Sequence, residues 1–254
     1  MNTYLESIIL GAVQGITEFL PVSSSGHLAL LEHLGIGNEN LLFNLMLHVA
    51  TLLVVIIAFW KEIVYCLKNP LSKTVRFVVL ASIPTMILAA AVRYFLPFSV
   101  KALPFCFVLT AVILILPSII KSKSEFSIEN DNSKKWMGTA VFTGVFQGIA
   151  TLGGVSRSGM TVTSLQLSGV NREESARLSF LLSIPIILGS AIVELLTKRA
   201  SSVQILPLLV AMVTAFVLGL LAVKVFLKLL HKCGLWVFSP YLIVLAILSF
   251  IALY

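Results

Sequence analysis

Long apolar runs separated by short polar connections dominate the chain. Six runs have the roughly 20 residues that a helix needs to cross a hydrocarbon core of about 30 Å. They predict transmembrane helices near 42–60, 74–95, 103–120, 176–196, 205–227 and 236–253. The pattern therefore predicts an all-α integral membrane protein.

Two further apolar segments, about 4–34 and 136–170, are each interrupted halfway. Pro21 interrupts the first, and the pair Gly153 and Gly154 interrupts the second. Proline removes a backbone donor, and paired glycines favour unwinding. We therefore expect each segment to be a helix, a turn at membrane depth and a second short helix, which makes two re-entrant hairpins beside the six spans.

The two interrupted segments are copies of one another. At a constant offset of 133, residues 11–28 and 144–161 match at eight of eighteen positions. Each copy opens with Gly-x-x-Gln-Gly-Ile and continues to Val-Ser-x-Ser-Gly. The mismatches include every ionisable position: Glu18 is aligned with Thr151, Ser24 with Arg157, and His27 with Met160. The copies share a scaffold and divide the chemistry between them.

The repeats organise the whole chain. We predict a single polytopic membrane domain over 1–254, with repeat 1 at about 1–120 and repeat 2 at about 136–254. The polar stretch 121–135 between them is predicted to be a linker.

Composition agrees with a membrane protein. Hydrophobic residues make up 58% of the chain, charged residues 11%, and the mean hydropathy is +1.03. In a soluble domain about a quarter of the residues are charged. The net charge of +7 does not indicate nucleic-acid binding, because the basic residues are scattered between apolar spans instead of clustering on one face.

The basic residues predict an orientation. If both hairpins return to the face they enter from, one face carries thirteen Lys and Arg residues and the other carries four. By the positive-inside rule, the first face is cytoplasmic. Both termini then lie outside and the hairpins enter from opposite faces, which is the inverted-topology repeat arrangement. The first set is Lys61, Lys68, Lys73, Arg76, Lys121, Lys123, Lys134, Lys135, Arg172, Arg177, Lys224, Lys228 and Lys232, and the second is Arg93, Lys101, Lys198 and Arg199.

The turns of the hairpins are candidate anion sites. The second short helix of each hairpin begins just after its Ser-rich turn, so free backbone N–H groups and the positive end of a helix dipole lie in a low-dielectric region. Arg157 at membrane depth costs about 2.5–3.5 kcal/mol on insertion scales, so it needs a partner, and its planar fork suits phosphate oxygens. Glu18 and His27 complete a polar cluster.

Each of these residues has a plainer interpretation when taken alone. Gly and Ser often serve only to let membrane helices approach closely, and a lone polar residue can make a structural hydrogen bond. Acidic, basic and hydroxyl groups occurring together on repeat-related turns favour a functional site. For Gln14, Gln147 and His48, hydrogen bonds that tie the hairpins to neighbouring helices are at least as good an explanation as chemistry.

At these residues the chain resembles the undecaprenyl-diphosphate phosphatase family, the bacitracin-resistance type of membrane phosphatase. Residues 14–27 are similar to its (Glu/Gln)-x-x-x-Glu motif with the extension Pro-Val-Ser-Ser-x-Gly-His. Residues 153–161 are similar to its second motif, Pro-Gly-x-Ser-Arg-Ser-x-x-Thr, with Gly153 in place of the proline. The resemblance extends over essentially the whole chain. Gln14 replaces a Glu found in many members, which leaves one carboxylate fewer for holding a metal.

The resemblance implies hydrolysis of the terminal phosphate of undecaprenyl diphosphate, which returns the monophosphate carrier to cell-wall synthesis and confers bacitracin resistance. It also implies a bacterial plasma-membrane location with the site open to the outer side, a divalent cation (Mg²⁺ or Ca²⁺) and a homodimer. Its motif residues are expected to be catalytic (Glu18, Ser24, His27, Arg157) or substrate-binding (Gln14, Ser23, Ser25, Ser156, Ser158, Thr161).

Roles within this set are hypotheses. Arg157 is expected to grip the diphosphate and Ser24 to be the nucleophile, with His27 as general base or acid. Glu18 would orient His27 or help to bind the cation. In a rival scheme His27 itself attacks the phosphorus, and the sequence does not separate the two.

Two other classes of function were weighed. Inverted repeats with broken helices are also typical of secondary transporters, so a polyprenyl-phosphate transporter or flippase is the alternative. The unequal division of ionisable groups between the repeats favours an enzyme. A membrane scaffold would not need an arginine at this depth.

Overall fold

The computed structural model describes residues 3–37, 40–96, 98–120, 125–131, 133–197 and 204–254. These residues form helices joined by short connections, with one isolated bridge between Phe126 and Val170. The α-helices are α1 Thr3–Phe19, α2 Ser24–His33, α3 Leu41–Ala58, α4 Trp60–Lys68, α5 Lys73–Phe95, α6 Leu103–Ile119, α7 Lys135–Ile149, α8 Arg157–Leu167, α9 Arg172–Thr197, α10 Ile205–Lys232 and α11 Ser239–Leu253.

The helices have the length and composition of membrane spans, as the sequence predicted. In the described part of the chain, five are long and apolar enough to cross a bilayer. The number becomes six if α3 and α4, which meet at a bend of 78°, form one span. Large side chains such as Ile87, Ile192 and Ile251 are more than half exposed on the outer surface, as expected where helices face lipid.

Both interrupted segments form a helix, a turn and a second helix. In the first, α1 ends at Phe19 and α2 begins at Ser24, with Pro21 in the turn. In the second, α7 ends at Ile149 and α8 begins at Arg157. The longer second turn contains Gly154 at φ +95°, a backbone conformation that glycine adopts without a steric penalty.

The two repeats pack crosswise. The first helix of each repeat lies along a long helix of the other repeat, α1 against α10 and α7 against α5, and α6 packs on α11. Glycines allow the close approach: a Cβ atom on Gly11 would lie 2.3 Å from the carbonyl oxygen of Ala211. At the related position, a Cβ on Gly144 would lie 2.2 Å from the carbonyl oxygen of Ala81. Each hairpin is therefore held by the opposite repeat.

We predict that Gly144→Ala lowers the melting temperature of the detergent-solubilised protein, because the new methyl group meets backbone on α5. Gly138→Ala on the same helix is the matched control, since a Cβ atom at Gly138 would have no described atom of another part of the chain within 4 Å. An open helical site gains about 0.5–1 kcal/mol from Gly→Ala, so the control should melt at the wild-type temperature or above. Equal melting temperatures for the two variants would contradict the close packing of α7 on α5.

The segment that joins the repeats is tied to both of them where it is described. Of the predicted linker 121–135, residues 121–124 and 132 lie outside the described residues, as do Lys198 and Arg199 of the charge count. Glu129 accepts hydrogen bonds from the backbone N–H and the hydroxyl of Thr74, at 3.0 and 2.9 Å, at the start of α5. Glu174 of α9 accepts from the backbone N–H of Ile128 at 3.0 Å. The connection therefore fastens the start of α5 to the start of α9.

Glu129 gives this connection a pH dependence. Partial burial opposes ionisation of Glu129, but the hydrogen bonds from Thr74 outweigh it and hold the carboxyl pKa below its ordinary value. Because the pKa of Glu129 is lower in the folded protein, its ionised carboxylate stabilises the fold at pH values above the ordinary pKa. This stabilisation is lost as the pH falls through the lowered pKa.

We therefore expect the wild-type melting temperature to fall as the pH drops below about 4.5, the ordinary value for this carboxyl. Glu129→Gln should be less stable at neutral pH, and its melting temperature should fall less over the same acid range. If the melting temperatures of the wild type and of Glu129→Gln fall equally on acidification, Glu129 is not the source of the pH dependence.

Candidate active site

The two Ser-rich turns share a serine N-cap. Ser23 caps α2, with its hydroxyl accepting a hydrogen bond from the backbone N–H of Gly26 at 3.2 Å. Ser156 caps α8, with its hydroxyl accepting from Gly159 N–H, also at 3.2 Å. Ser23 and Ser156 are 133 residues apart, as are Gly26 and Gly159. The sequence repeat is therefore also present in the hydrogen bonds. Serine is a preferred N-cap residue because its oxygen satisfies an otherwise free N–H.

The turns also contact each other. The Ser158 hydroxyl donates to the carbonyl oxygen of Leu20 at 3.2 Å, and the backbone N–H of Gly154 donates to the Ser25 hydroxyl at 3.4 Å. The N-termini of α2 and α8 are thereby brought to one place. Ser23 takes φ 70°, an uncommon conformation for a residue with a side chain and one that often occurs at functional sites.

A cavity of about 310 Å³ opens where the turns meet. Seven of the ten predicted site residues line it, four from the first hairpin and three from the second. They are Glu18, Ser23, Ser24, Ser25, Ser156, Arg157 and Ser158. Its remaining walls come from α3 and α9, through residues that include His48 and Ser190.

Glu18 is the centre of the polar contacts in this cavity. Its side chain is 4% exposed, and its Oε1 forms an ion pair with Arg157 Nη2 across the two hairpins. Its Oε2 accepts hydrogen bonds from the Ser24 hydroxyl at 2.5 Å and from Gln14 Nε2 at 3.1 Å. The pair stabilises two charges that would be costly to bury singly.

Arg157 keeps donor capacity beyond this pair. Its Nη1 is buried without a hydrogen-bond partner, while 22% of the side chain is exposed. A guanidinium has five N–H donors, so it can hold Glu18 and also bind an anion in the cavity. The arrangement combines two helix N-termini, serine hydroxyls and a cation, which suits a phosphate group.

His27 does not line the cavity. Its Nδ1 lies 2.7 Å from the backbone carbonyl of Ser23, and its Nε2 lies 2.6 Å from the Tyr241 hydroxyl. The two rings are nearly parallel, with their centroids 5.8 Å apart. The carbonyl only accepts, so Nδ1 is the donor there. With both ring nitrogens engaged, His27 supports the Ser23 turn, and its catalytic role stays a prediction.

Gln14 and Thr161 also lie behind the cavity wall. Gln14 is fully buried and reaches Glu18 from one helical turn away. Thr161 donates to the Arg157 carbonyl oxygen at 3.0 Å, and its hydroxyl lies 2.5 Å from that of Ser179 on α9. Both residues contact the site residues instead of the cavity itself.

The sequence did not decide between a structural and a chemical role for His48. Its Nδ1 lies 3.0 Å from Gln14 Nε2 and 3.4 Å from Glu18 Oε2, and it lines the cavity from α3. The only signal in the sequence was a histidine within an apolar run. Tyr241, the partner of His27, gave no signal because it lies 214 residues away in the chain.

A comparison with models of known protein families identifies the family of this chain. Residues 7–248 match the family model described as Bacitracin resistance protein BacA. The chain belongs to this family.

Several relatives match this chain over nearly their full length. A protein of Carboxydothermus hydrogenoformans named undecaprenyl-diphosphatase is 36% identical, covering 97% of this chain and 96% of its own. Undecaprenyl-diphosphatases of Treponema denticola and Thermosipho africanus are 36% and 35% identical. The first match covers 95% of this chain and 94% of the relative, and the second covers 97% and 99%.

Proposed function

We infer that this chain is an undecaprenyl-diphosphate phosphatase, which releases the terminal phosphate of undecaprenyl diphosphate and leaves undecaprenyl phosphate. The observation that carries this inference is the meeting of Arg157, the serine-capped helix starts and the Glu18–Ser24 pair in one cavity. Family membership and the names of the relatives support the same reaction. The apolar helices around the cavity suit a substrate whose long tail stays in lipid.

Arg157 binds the diphosphate in this proposal. Its unpartnered Nη1 and the N–H groups at the starts of α2 and α8 provide donors for phosphate oxygens. As negative charge develops on the transferring phosphoryl group, these fixed donors stabilise it without having to reorganise. Ser156 and Ser158, on either side of Arg157, add hydroxyls to the cavity wall.

Ser24 is the nucleophile. Its oxygen attacks the terminal phosphorus while its proton passes to Glu18 Oε2, which is 2.5 Å away. The bond between that phosphorus and the bridging oxygen breaks, and undecaprenyl phosphate leaves. Water then hydrolyses the phosphoserine, which gives inorganic phosphate and restores the Ser24 hydroxyl. Glu18 is the favoured base over His27, whose ring nitrogens are engaged with Ser23 and Tyr241.

The divalent cation stays a prediction of the resemblance. Among the described residues, no group of three His, Cys, Asp or Glu could hold a metal ion. Glu18 is the one carboxylate on the cavity wall, and it is already bonded to Arg157 and Ser24. These residues do not form a protein-only site for Mg²⁺ or Ca²⁺, which need several oxygen ligands. A cation would depend on oxygens of the diphosphate.

The proposed membrane arrangement has six spans, with α3 and α4 counted as one, and the two hairpins re-entrant from opposite faces. The first hairpin opens to the outer side of a bacterial plasma membrane. The excess of basic residues on the other face supports this orientation. A homodimer stays a prediction of the resemblance.

We expect purified protein to release phosphate from a C55 or C15 prenyl diphosphate. Arg157→Ala should reduce kcat by about 100- to 1,000-fold, the range for losing one transition-state donor. Ser24→Ala should abolish phosphoserine formation. Arg76→Ala is the matched control and should keep wild-type activity, because Arg76 bonds to the Leu71 carbonyl at the start of α5, away from the cavity.

Wild-type turnover in a folded Arg157→Ala protein would remove Arg157 from the site. No release by a wild-type protein that still binds the lipid would contradict the phosphatase and favour the transporter.

We predict that a cysteine at Leu34, at the exposed end of α2, reacts with an impermeant thiol reagent added outside intact cells. Leu71→Cys, between α4 and α5, is the matched control and should react only after the membrane is opened, since Leu71 is 75% exposed on the opposite face. The background protein would lack Cys66, Cys106 and Cys233. The reverse labelling pattern would overturn the orientation.

A further inference from the structure

Two polar side chains beside Glu18, those of Gln14 and His48, continue its contacts, and the proposed reaction does not yet use them. Gln14 Nε2 lies 3.1 Å from Glu18 Oε2 and 3.0 Å from His48 Nδ1. The other amide atom, Gln14 Oε1, is buried and has no hydrogen-bond partner. The Gln14 nitrogen therefore contacts both Glu18 and His48, while the amide oxygen makes no hydrogen bond to a described residue.

The chemistry of these atoms fixes the direction of the bonds. Glu18 Oε2 already accepts from Ser24, and a carboxylate oxygen only accepts, so Gln14 must present its NH₂ group. That group has two hydrogens: one reaches Oε2 and the other reaches His48 Nδ1. Nδ1 is then an acceptor, and its 3.4 Å approach to Glu18 is a consequence of their shared partner. This accounts for the orphaned Oε1, because turning the amide over would set two oxygens against each other.

His48 is well placed to hold this amide. It lies on α3, which packs on both α1 and α10, and its own backbone carbonyl accepts from the Thr51 hydroxyl at 3.0 Å. Gln14 is fully buried, whereas His48 reaches the cavity wall. The Gln14 amide could otherwise rotate about its last side-chain bond. A hydrogen bond to His48, which lies on a different helix, prevents this rotation.

We propose that His48 is a positioning residue for phosphate release: by accepting a hydrogen bond from Gln14, it fixes the amide that holds Glu18 Oε2 against the Ser24 hydroxyl. This inference rests on the proposed phosphatase activity. His48 acts through Gln14, whose amide holds the carboxylate that takes the Ser24 proton. Its loss leaves the Glu18–Arg157 pair in place but lets Oε2 turn away from Ser24.

The test compares His48→Leu with His48→Asn in the phosphate-release assay. Leucine removes the acceptor and should reduce kcat by about 10- to 100-fold, the scale of a misplacement near 1 Å, while KM stays near wild type. Asparagine can place its Oδ1 where Nδ1 lies and should restore most of kcat. Asn44→Ala is the matched control one turn earlier on α3, where Asn44 bonds to Glu32 instead of the cavity, and it should be fully active.

A double-mutant cycle separates positioning through Gln14 from an independent effect. Gln14→Leu combined with His48→Leu should lose no more activity than Gln14→Leu alone. Losses that multiply, a change confined to KM, or an unaffected kcat in folded His48→Leu would each overturn the inference. If the wild-type protein releases no phosphate, the proposed function fails and this inference fails with it. An active wild type with an equally active His48→Leu contradicts the inference alone.

Discussion

The ion pair between Glu18 and Arg157 is the constraint on which the site depends. Each charge lies on a different hairpin, and neither could stay at this depth without the other, because unpaired charges are strongly disfavoured in a membrane protein interior. The crosswise packing of α1 on α10 and α7 on α5 brings the two turns together. Once the turns meet, Arg157 and Glu18 both line one cavity.

Much of the fold follows from the sequence because the lipid environment permits few structures. The apolar runs 74–95, 176–196 and 205–227 lie within α5, α9 and α10, and the run 103–120 matches α6 to within one residue. The run 42–60 instead crosses the bend from α3 into α4, and the run 236–253 begins in a short 3-10 turn before α11. Pro21 and Gly154 lie in the turns between α1 and α2 and between α7 and α8. The 133-residue offset predicted two hairpins whose second helices begin after Ser-rich turns, and in the structure the equivalent serines Ser23 and Ser156 cap those helices. Which helix each hairpin packs against could not be predicted, because it depends on close contacts such as that of Gly11 with Ala211.

The sequence predicted several of the residues that line the site but not which residues they form hydrogen bonds with. The motifs identified seven residues of the cavity wall, but His27 was expected to act on Ser24, three residues earlier. The structure directs the ring to Tyr241 instead, and Glu18 lies against Ser24. The spacing of His27 and Ser24 places them within one turn of the same helix. It does not determine which residue of another helix the His27 side chain contacts. His48 was ambiguous for the same reason.

The second repeat shows why the two halves had to diverge. Gln147, the counterpart of Gln14, donates at 3.2 Å to the Thr85 hydroxyl, and the position of Glu18 is taken by Thr151. A second glutamate there would add a like charge beside the cavity in which we propose that phosphate binds, and a second arginine at Ser24 would remove the hydroxyl next to Glu18. One acid and one cation, each on its own copy of the turn, give a neutral pair before substrate arrives. An anionic lipid head can then compete for the arginine and leave the carboxylate beside its serine.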